Sequence, residues 1–568
     1  MTTDPTHGIG GPGLDADDLK MMLETLDEFV TDALPLDKML ELDHEDVCPE
    51  DIVRRMCSDE LGVQLVFVPE PYGGMGGNAF DAYRVCEKMA RHDIGLATAV
   101  FATFLGSDPI LVGATEEQKK HWLGRIAEKG IVFAYGATEP DAGSDLGAMT
   151  TKAERVVEDG EIVGYRINGR KQWISNGGIA DATTILALAP DGPSWFVAER
   201  GAPGLNPAKP EDKHGIRLSN TTAIFVEDLF VPADQLIGGV EGQGLIQAQQ
   251  VFGYTRVMVG AFGLGGGIEA LRRAIEYSVG REQGGSKLAL KQGYTHKLIL
   301  PHAVKLEASR AFLEEAAARI DNGEGVNGAM NTEGAIAKYM ATEAGNAAAE
   351  AAIQAHGGYG YTREYVVEKI KRDVRITLIY EGTSEILEMT IARDRWQHHL
   401  KTRGQHYVTA AAGLEALHAT APTVGADGAA LASRCLATVL DACQRGRLTR
   451  NQHILFRLGE LIAYAETAGA AARRAAAALS GEAHPKSDTT YDAQSLATIS
   501  RIFAREAALK VGEDGLRWVV GAAEGGAAQA AALAAALPLD AVRAAQSGLL
   551  ADYDALHRVV YAGKLDAD

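Results

Sequence analysis

A change of texture between residues 131 and 244 constrains this chain more than any other feature. Inside that stretch, FAYGATEP, GYRINGRKQWISN, TTILALA, SWFVAE and TAIFVEDLFVP are short β-branched or aromatic runs separated by Gly, Asn, Asp and Pro. Such runs between turn residues predict antiparallel strands. On either side, apolar residues recur at three- and four-residue steps, which predicts helices. The fold class is therefore α+β, mainly α. A helical domain is expected over 14–130, a β domain over 131–244, a helical bundle over 245–400, and an appended all-helical domain over 405–568.

The details follow the same rules. Residues 1–13 read as a flexible tail. Leu19, Met22, Leu23, Leu26, Phe29 and Val30 then mark the first helical face. Val63–Gly77 (VQLVFVPEPYGGMGG) reads as a loop whose glycines permit a tight turn rather than a phosphate cradle, since no buried strand precedes them. Helix resumes through Phe80–Ile126 with Pro109 and Gly113 as punctuation, and Thr115-Glu116-Glu117-Gln118 carries a helix-start signature. Gly263-Leu264-Gly265-Gly266-Gly267 resembles a dinucleotide fingerprint, but it lies inside a helical pattern, which points to close helix packing. Residues 405–430, broken at Pro422 and Gly425, read as a linker with partial helix. Ala430–Leu479 and Asp492–Leu537 read as two long helical stretches, with a last segment through Val559.

A formal charge of −21 argues against nucleic acid, whose binding rests on basic residues neutralising phosphates. It argues equally against an anionic membrane surface. Cys48, Cys57, Cys86, Cys435 and Cys443 form no C-x-x-C pair and read as reduced, buried thiols, and no metal site is expected. The amino terminus lacks the basic and apolar regions of a signal peptide, and no run of 18 or more apolar residues is found. The expected location is the cytoplasm.

Four stretches carry chemistry. Ile379–Glu385 (IYEGTSE) sets a carboxylate between an aromatic residue and a glycine, then two hydroxyls. Gly and Thr are weak helix formers, so the segment should join helices and present Glu381 as a general base. Tyr135–Asp145 (YGATEPDAGSD) offers hydroxyls and small residues suited to a flat heterocycle or phosphate. In Lys171–Gly177 (KQWISNG), strand alternation puts Trp173 and Ser175 on one face. The glycines of Gln354–Tyr361 (QAHGGYGY) would let a backbone approach a ligand closely.

In this order, TEPDAGSD, KQWISNG, QAHGGYGYTREYVVEKIKRD and IYEGTSEIL resemble the acyl-CoA dehydrogenase family of flavoproteins over about residues 15–400. The LTRNQ and LFRL segments (Leu448–Gln452, Leu455–Leu458) are similar to the C-terminal domain of very-long-chain acyl-CoA dehydrogenases. The resemblance implies three core domains, helical, β-barrel-like and helical, with FAD held between them. It implies α,β-dehydrogenation of an acyl-CoA to a trans-2-enoyl-CoA. Glu381 would take the α-proton, while its own backbone N–H and the flavin ribityl hydroxyl hold the thioester oxygen. Displacement of water by the acyl chain would raise the base's pKa. The β-hydrogen would pass to flavin N5, and electrons to an electron-transfer flavoprotein.

By the same resemblance, Tyr135, Ala137, Thr138, Trp173 and Ser175 would contact the flavin ring. Ser144 would lie near the flavin phosphate and the acyl-CoA, and Thr383 and Glu385 near FAD. Arg281, Gln283, Gln292, Gln354, Gly357 and Gly358 would reach the pyrophosphate and adenine of a neighbouring subunit, so a homodimer is expected. Phe252, Arg256, Tyr380 and Gly382 would meet the substrate. Thr255 stands where some members carry the base as Glu, and threonine cannot serve. Three positions depart from the pattern. Gly284-Gly285 replaces Phe-Gly (with Lys287 for the following Pro), Gly253 replaces an Asp that often binds CoA, and Glu388 stands where a basic residue is common. Two alternatives share the fold: a non-catalytic assembly or scaffold protein, and an acyl-CoA oxidase. Chain length would depend on residues around Ala97–Leu105 and Tyr380, and the sequence does not name it. The extension carries no basic amphipathic helix of the membrane-binding kind. It is expected to cover a surface that four-subunit relatives use for assembly.

Overall fold

The computed structural model describes residues 12–324, 329–522 and 526–565. Most of the expected tail at 1–13 lies outside them. The chain divides into two compact units, one of Met1–Gly266, Ala317–Asn331 and Arg372–Ile376, the other of Gly267–Ala316, Thr332–Lys371 and Thr377–Asp568.

The first unit opens with helices whose ends are written locally. Asp15, Asn78, Asp93 and Thr115 each cap a helix with a side-chain oxygen, and Asn78/Asp81 and Thr115/Gln118 complete capping boxes. The expected loop at Val63–Gly77 begins with a short helix, Val63–Phe67, whose Val63 and Val66 are buried. The GGMGG turn follows it, and Gly74 and Gly77 sit so close to the backbone of Val68 and Val66 that a Cβ would clash. Pro109 does not break its helix, which runs Ile94–Gly113. By length and composition this helix could cross a membrane, although Thr98, Thr103, Ser107 and Asp108 interrupt any strict apolar run. As 94% of its apolar window is buried in the protein, it is a core helix.

The β region is one sheet of seven strands: β1 (Phe133–Gly136), β2 (Lys152–Glu158), β3 (Glu161–Ser175), β4 (Ala182–Ala189), β5 (Gly192–Glu199), β6 (Leu205–Pro207) and β7 (Thr221–Pro232). Their order is β1-β4-β2-β3-β7-β6, with β5 beside β4. Contrary to the all-antiparallel expectation, β1 runs parallel to β4, Phe133 opposite Ala182 through Gly136 opposite Ile185. Strands end at Pro232, and the next long helix starts at Gly244 and extends to Gly280. A core of Ile167, Ile185, Phe196, Ile224 and Leu229 fills the inner face.

In the second unit, Gln405–Thr420 is helix, not linker. Its seemingly loose pattern hides Tyr407, Ala411 and Leu414, a buried stripe at steps of four and three. Ala430–Leu479 is likewise two helices, Ala426–Gly446 and Gln452–Ser480. Arg447 turns left-handed at φ 53°, and Asn451 caps the second helix. The helical stretch expected over Asp492–Leu537 holds the helices Ala493–Ala522 and Gly526–Ala536. Leu539–Ala544 and Leu549–Val560 complete the extension. Arg395 ties it to the preceding helix by hydrogen bonds to Glu466 at 2.7 and 2.9 Å, with Glu333 at 3.0 Å. Cys57, Cys86, Cys435 and Cys443 are buried, Cys48 is half-buried, and all five are free.

The glycine-rich run expected to allow close helix packing does so. A Cβ on Gly265 would lie 2.4 Å from the Glu87 carbonyl oxygen, and one on Gly267 would lie 2.6 Å from Gly345 Cα.

Candidate functional site

Within the first unit, the Tyr135–Asp145 segment is fastened to β3 by a buried ion pair. Lys171 Nζ donates to Glu139 Oε1 at 2.8 Å and to the Ala137 carbonyl at 3.1 Å. Glu139 also accepts from Thr150 N at 2.6 Å, Thr150 Oγ1 at 2.7 Å and Thr151 N at 3.0 Å. Burial alone would raise the Glu139 carboxyl; the bonds from Lys171, Thr151 and Thr150 prevail and hold it down at about 2. Gln172 N donates to the Thr138 carbonyl at 2.9 Å. These contacts bring Tyr135, Ala137 and Thr138 alongside β3, while Ser144 lies exposed on the loop beyond.

Trp173 and Ser175 do not share a face by simple alternation. The β3–β7 register shifts between Lys171 and Ile174, and Trp173 is left-handed at φ 60°. Lys171 and Gln172 are consequently both buried, and the Trp173 indole stands out from the sheet 61% exposed. A β-bulge that re-aims one aromatic ring is a common device beside ligand sites. Strand periodicity could not reveal it.

Phe252 and Arg256 come together on one helix, the guanidinium 5.3 Å from the phenyl centroid. Arg256 is buried and bonds the Asn331 side chain. Gly253 has a steric account, because a Cβ there would lie 3.1 Å from the Met330 backbone. Thr255 is fully buried.

In the second unit, Ile379–Glu385 joins helices as expected. Arg375–Leu378 is a 3-10 turn, and Ser384–Lys401 is a helix capped by Thr383, whose Oγ1 accepts from Ile386 N at 3.3 Å. Glu381 is left-handed at φ 55° and Gly382 follows at φ 97°. The carboxylate is thus presented from a strained turn rather than a helix face. Glu385 is exposed in the first helical turn, and Tyr380, Glu381, Gly382 and Thr383 are half-buried.

One helix, Asn331–His356, grips this loop through three side chains. The fully buried Lys338 donates from Nζ to the Tyr380 carbonyl at 2.6 Å and to the Gly382 carbonyl. Tyr339 Oη donates to Glu388 at 3.1 Å, and Glu343 accepts from Ser384 Oγ at 2.6 Å. Glu388, the unexplained departure, faces inward. Burial pushes its carboxyl up to about 7, against the opposing pull of Tyr339 and Arg457. A Cβ on Gly459 would meet the Glu388 carbonyl oxygen at 2.2 Å, so the extension packs directly on the helix that follows this turn.

Arg281, Gln283, Gln354, Gly357 and Gly358 line one cleft of about 500 Å³, together with Tyr277, His356 and Tyr359. Tyr277 stacks on His356 at 4.4 Å. The Gly284-Gly285 departure makes the turn of a two-residue hairpin joining Glu282–Gln283 to Ser286–Lys287. Both glycines have positive φ, 58° and 80°, the geometry such a turn requires. Gln292 is not among the residues that line this cleft; its Nε2 donates to Asp554 in the extension at 3.0 Å. A guanidinium, amides, open glycine backbone and aromatic walls suit a diphosphate attached to a flat heterocycle.

Sequence reasoning missed Glu139 and Lys338. The one signal for Lys338 was its position as the sole charge between Glu333 and Glu343. Among the described residues, no group of His, Cys, Asp or Glu is arranged to hold a metal ion.

Three family descriptions match consecutive parts of the chain: acyl-CoA dehydrogenase N-terminal domain over residues 16–130, middle domain over 134–229 and C-terminal domain over 242–395. Acryloyl-CoA reductase (NADH) of Anaerotignum propionicum is 35% identical over 359 residues, 62% of this chain and 88% of that protein. The short-chain-specific acyl-CoA dehydrogenase of Megasphaera elsdenii is 35% identical over 355 residues, 61% of this chain and 90% of that protein. The structure of an acyl-CoA dehydrogenase complexed with FAD from Bacillus anthracis superposes with a TM-score of 0.82 at 23% identity. It covers 99% of this chain and 98% of that one, so its fold likeness includes the extension. With its three core domains matched in order and Glu381 set in the loop of IYEGTSE, the chain belongs to the acyl-CoA dehydrogenase family.

Proposed function

We propose that this protein is an FAD-dependent acyl-CoA dehydrogenase that converts a saturated acyl-CoA thioester to its trans-2-enoyl-CoA. The observation that carries this reading is Glu381, the carboxylate presented from a left-handed turn beside Gly382. Removing a proton next to a thioester needs a base close to the α-carbon and a donor for the oxygen that gains charge. Glu381 supplies the base through its side chain and the donor through its backbone N–H. By the family resemblance, Tyr380, Gly382, Phe252, Arg256 and Ser144 would be the residues that meet the substrate, Arg256 on its CoA side.

The residues present fit FAD. The exposed Trp173 ring offers a stacking surface, Ala137 and Thr138 are hydrogen-bonded through their carbonyls to Lys171 and Gln172 just before it, and Ser175 is the last residue of the same strand. Thr383 and Glu385 lie at a helix start, and the Arg281, Gln283, Gln354, Gly357 and Gly358 cleft suits a diphosphate and adenine. FAD held there would supply the acceptor for the β-hydrogen as hydride, the counterpart of the α-proton taken by Glu381, so that the C=C bond forms with protons and electrons balanced. The further reading is a homodimer, the cleft serving the cofactor of the second copy, with electrons leaving to an electron-transfer flavoprotein. The free cysteines support a reducing, cytoplasmic address.

The test is anaerobic titration with acyl-CoAs of four to eighteen carbons. The purified protein should be yellow and bleach with one member of the series, and Glu381→Gln should stay yellow while losing the bleaching. A colourless protein would favour the scaffold alternative, rapid peroxide formation in air would favour an oxidase, and normal turnover by Glu381→Gln would remove the base assignment.

A further inference from the structure

Lys338 belongs to no motif, yet it is fully buried and its ammonium bridges the two carbonyls on either side of Glu381. The bridge does two things. First, it stabilises the turn. Glu381 at φ 55° and Gly382 at φ 97° are consecutive left-handed residues, and a non-glycine residue there is held only where its surroundings over-determine it. Drawing the Tyr380 and Gly382 carbonyls to one ammonium does so, since those groups belong to the peptide just before Glu381 and the second peptide after it. Neighbouring contacts from the same helix, Tyr339 to Glu388 and Ser384 to Glu343, hold the following helix start.

Second, it acts on the Tyr380–Glu381 peptide itself. The Tyr380–Glu381 peptide is trans, so the Glu381 N–H points opposite to the Tyr380 carbonyl. Lys338 on the carbonyl therefore directs the N–H away from itself. A charged donor on the oxygen also polarises the amide, which strengthens the N–H as a donor on the far side.

We propose that Lys338 is a positioning residue for the dehydrogenation: it locks the Glu381 turn and polarises the Glu381 N–H that holds the thioester oxygen. The proposal rests on Glu381 being the base. It adds that the electrostatic assistance to that N–H originates in a buried lysine on another helix, 43 residues earlier by the numbering.

The experiment uses the holoenzyme and its bleaching acyl-CoA. Lys338→Met keeps the length of the side chain and removes its donors. Flavin content and acyl-CoA binding should stay close to wild type. The anaerobic rate of flavin bleaching, normalised per bound flavin, should fall about 10²-fold, as when one oxyanion donor is lost. The α-deuterium isotope effect should rise, and the infrared stretch of the bound thioester carbonyl should move toward its value in water. Lys338→Gln, which retains an N–H donor but no charge, should fall between the two and serves if Lys338→Met does not fold. A rate per flavin within threefold of wild type, or an unchanged carbonyl stretch, would overturn the proposal. So would a loss that tracks flavin content alone, because that is what a purely structural lysine gives. Glu381→Gln separates the two readings. If it is inactive while Lys338→Met is unaffected, only the lysine proposal falls; if it is active, the base assignment falls first.

Discussion

Replacing Lys171 by Met should strongly destabilise the sheet. The lysine side chain is 0% exposed and its partner Glu139 2% exposed, with 2.8 Å between the charges. The Glu139 carboxyl lies at about 2 in the folded protein against an ordinary 4.5. Burial lowers the Lys171 ammonium in the opposing sense, so the pair contributes less than the Glu139 shift alone would give, and that shift sets the pH window. Because the folded value is depressed, this stability is fully present above pH 4.5 and is lost as pH falls toward 2. Lys171→Met leaves a buried carboxylate with only Thr150 and Thr151 to satisfy it, and breaking such a pair costs about 3–5 kcal/mol. At roughly 2 °C per kcal/mol for a unit of this size, the melting temperature should drop by about 6–10 °C. Glu139→Gln/Lys171→Met should recover much of the loss, since removing both charges removes the uncompensated one. The assay is calorimetry from pH 7 down to pH 3, with flavin release followed in parallel, because the loosened segment carries Tyr135, Ala137 and Thr138. A single variant that melts within 2 °C of wild type with the same acid slope would refute the argument.

The buried Glu388 gives the opposite pH sign. Its folded value of about 7 lies above the ordinary 4.5, so its contribution is favourable at low pH and is lost as pH rises from 4.5 through 7. Glu388→Gln should raise the melting temperature at pH 8 by several degrees and change it little at pH 4, as read by calorimetry at the two pH values. Gly459→Ala should cost about 1–3 kcal/mol through its clash with the Glu388 carbonyl. Denaturant titration should show the loss, and a silent substitution would mean that the two helices separate without penalty.

The sequence by itself determined the features that arise within a few residues. Thr115 and Gln118 write their own capping box, and Gly382 and Thr383 make Ile379–Glu385 a turn and a helix start rather than a helix. The order of helical, β and helical regions follows from periodicity, which is also local. Side-chain roles in Tyr135–Asp145 and Gln354–Tyr361 became readable only as likeness to a family, because hydroxyls and glycines suit many ligands.

Tertiary structure decided whatever depends on which distant faces meet. The β3 bulge turned Trp173 outward, against the alternation of its own strand. Gln405–Thr420 became a packed helix because Tyr407, Ala411 and Leu414 found a partner face, although its composition read as a linker. Gln292 was drawn to Asp554, more than 250 residues away. Glu139 with Lys171, and Lys338 with the Glu381 turn, join residues 32 and 42 or more positions apart. No local preference encodes such a pair. A buried charge is tolerable only where the fold delivers its partner, so its location is a consequence of packing rather than of spacing.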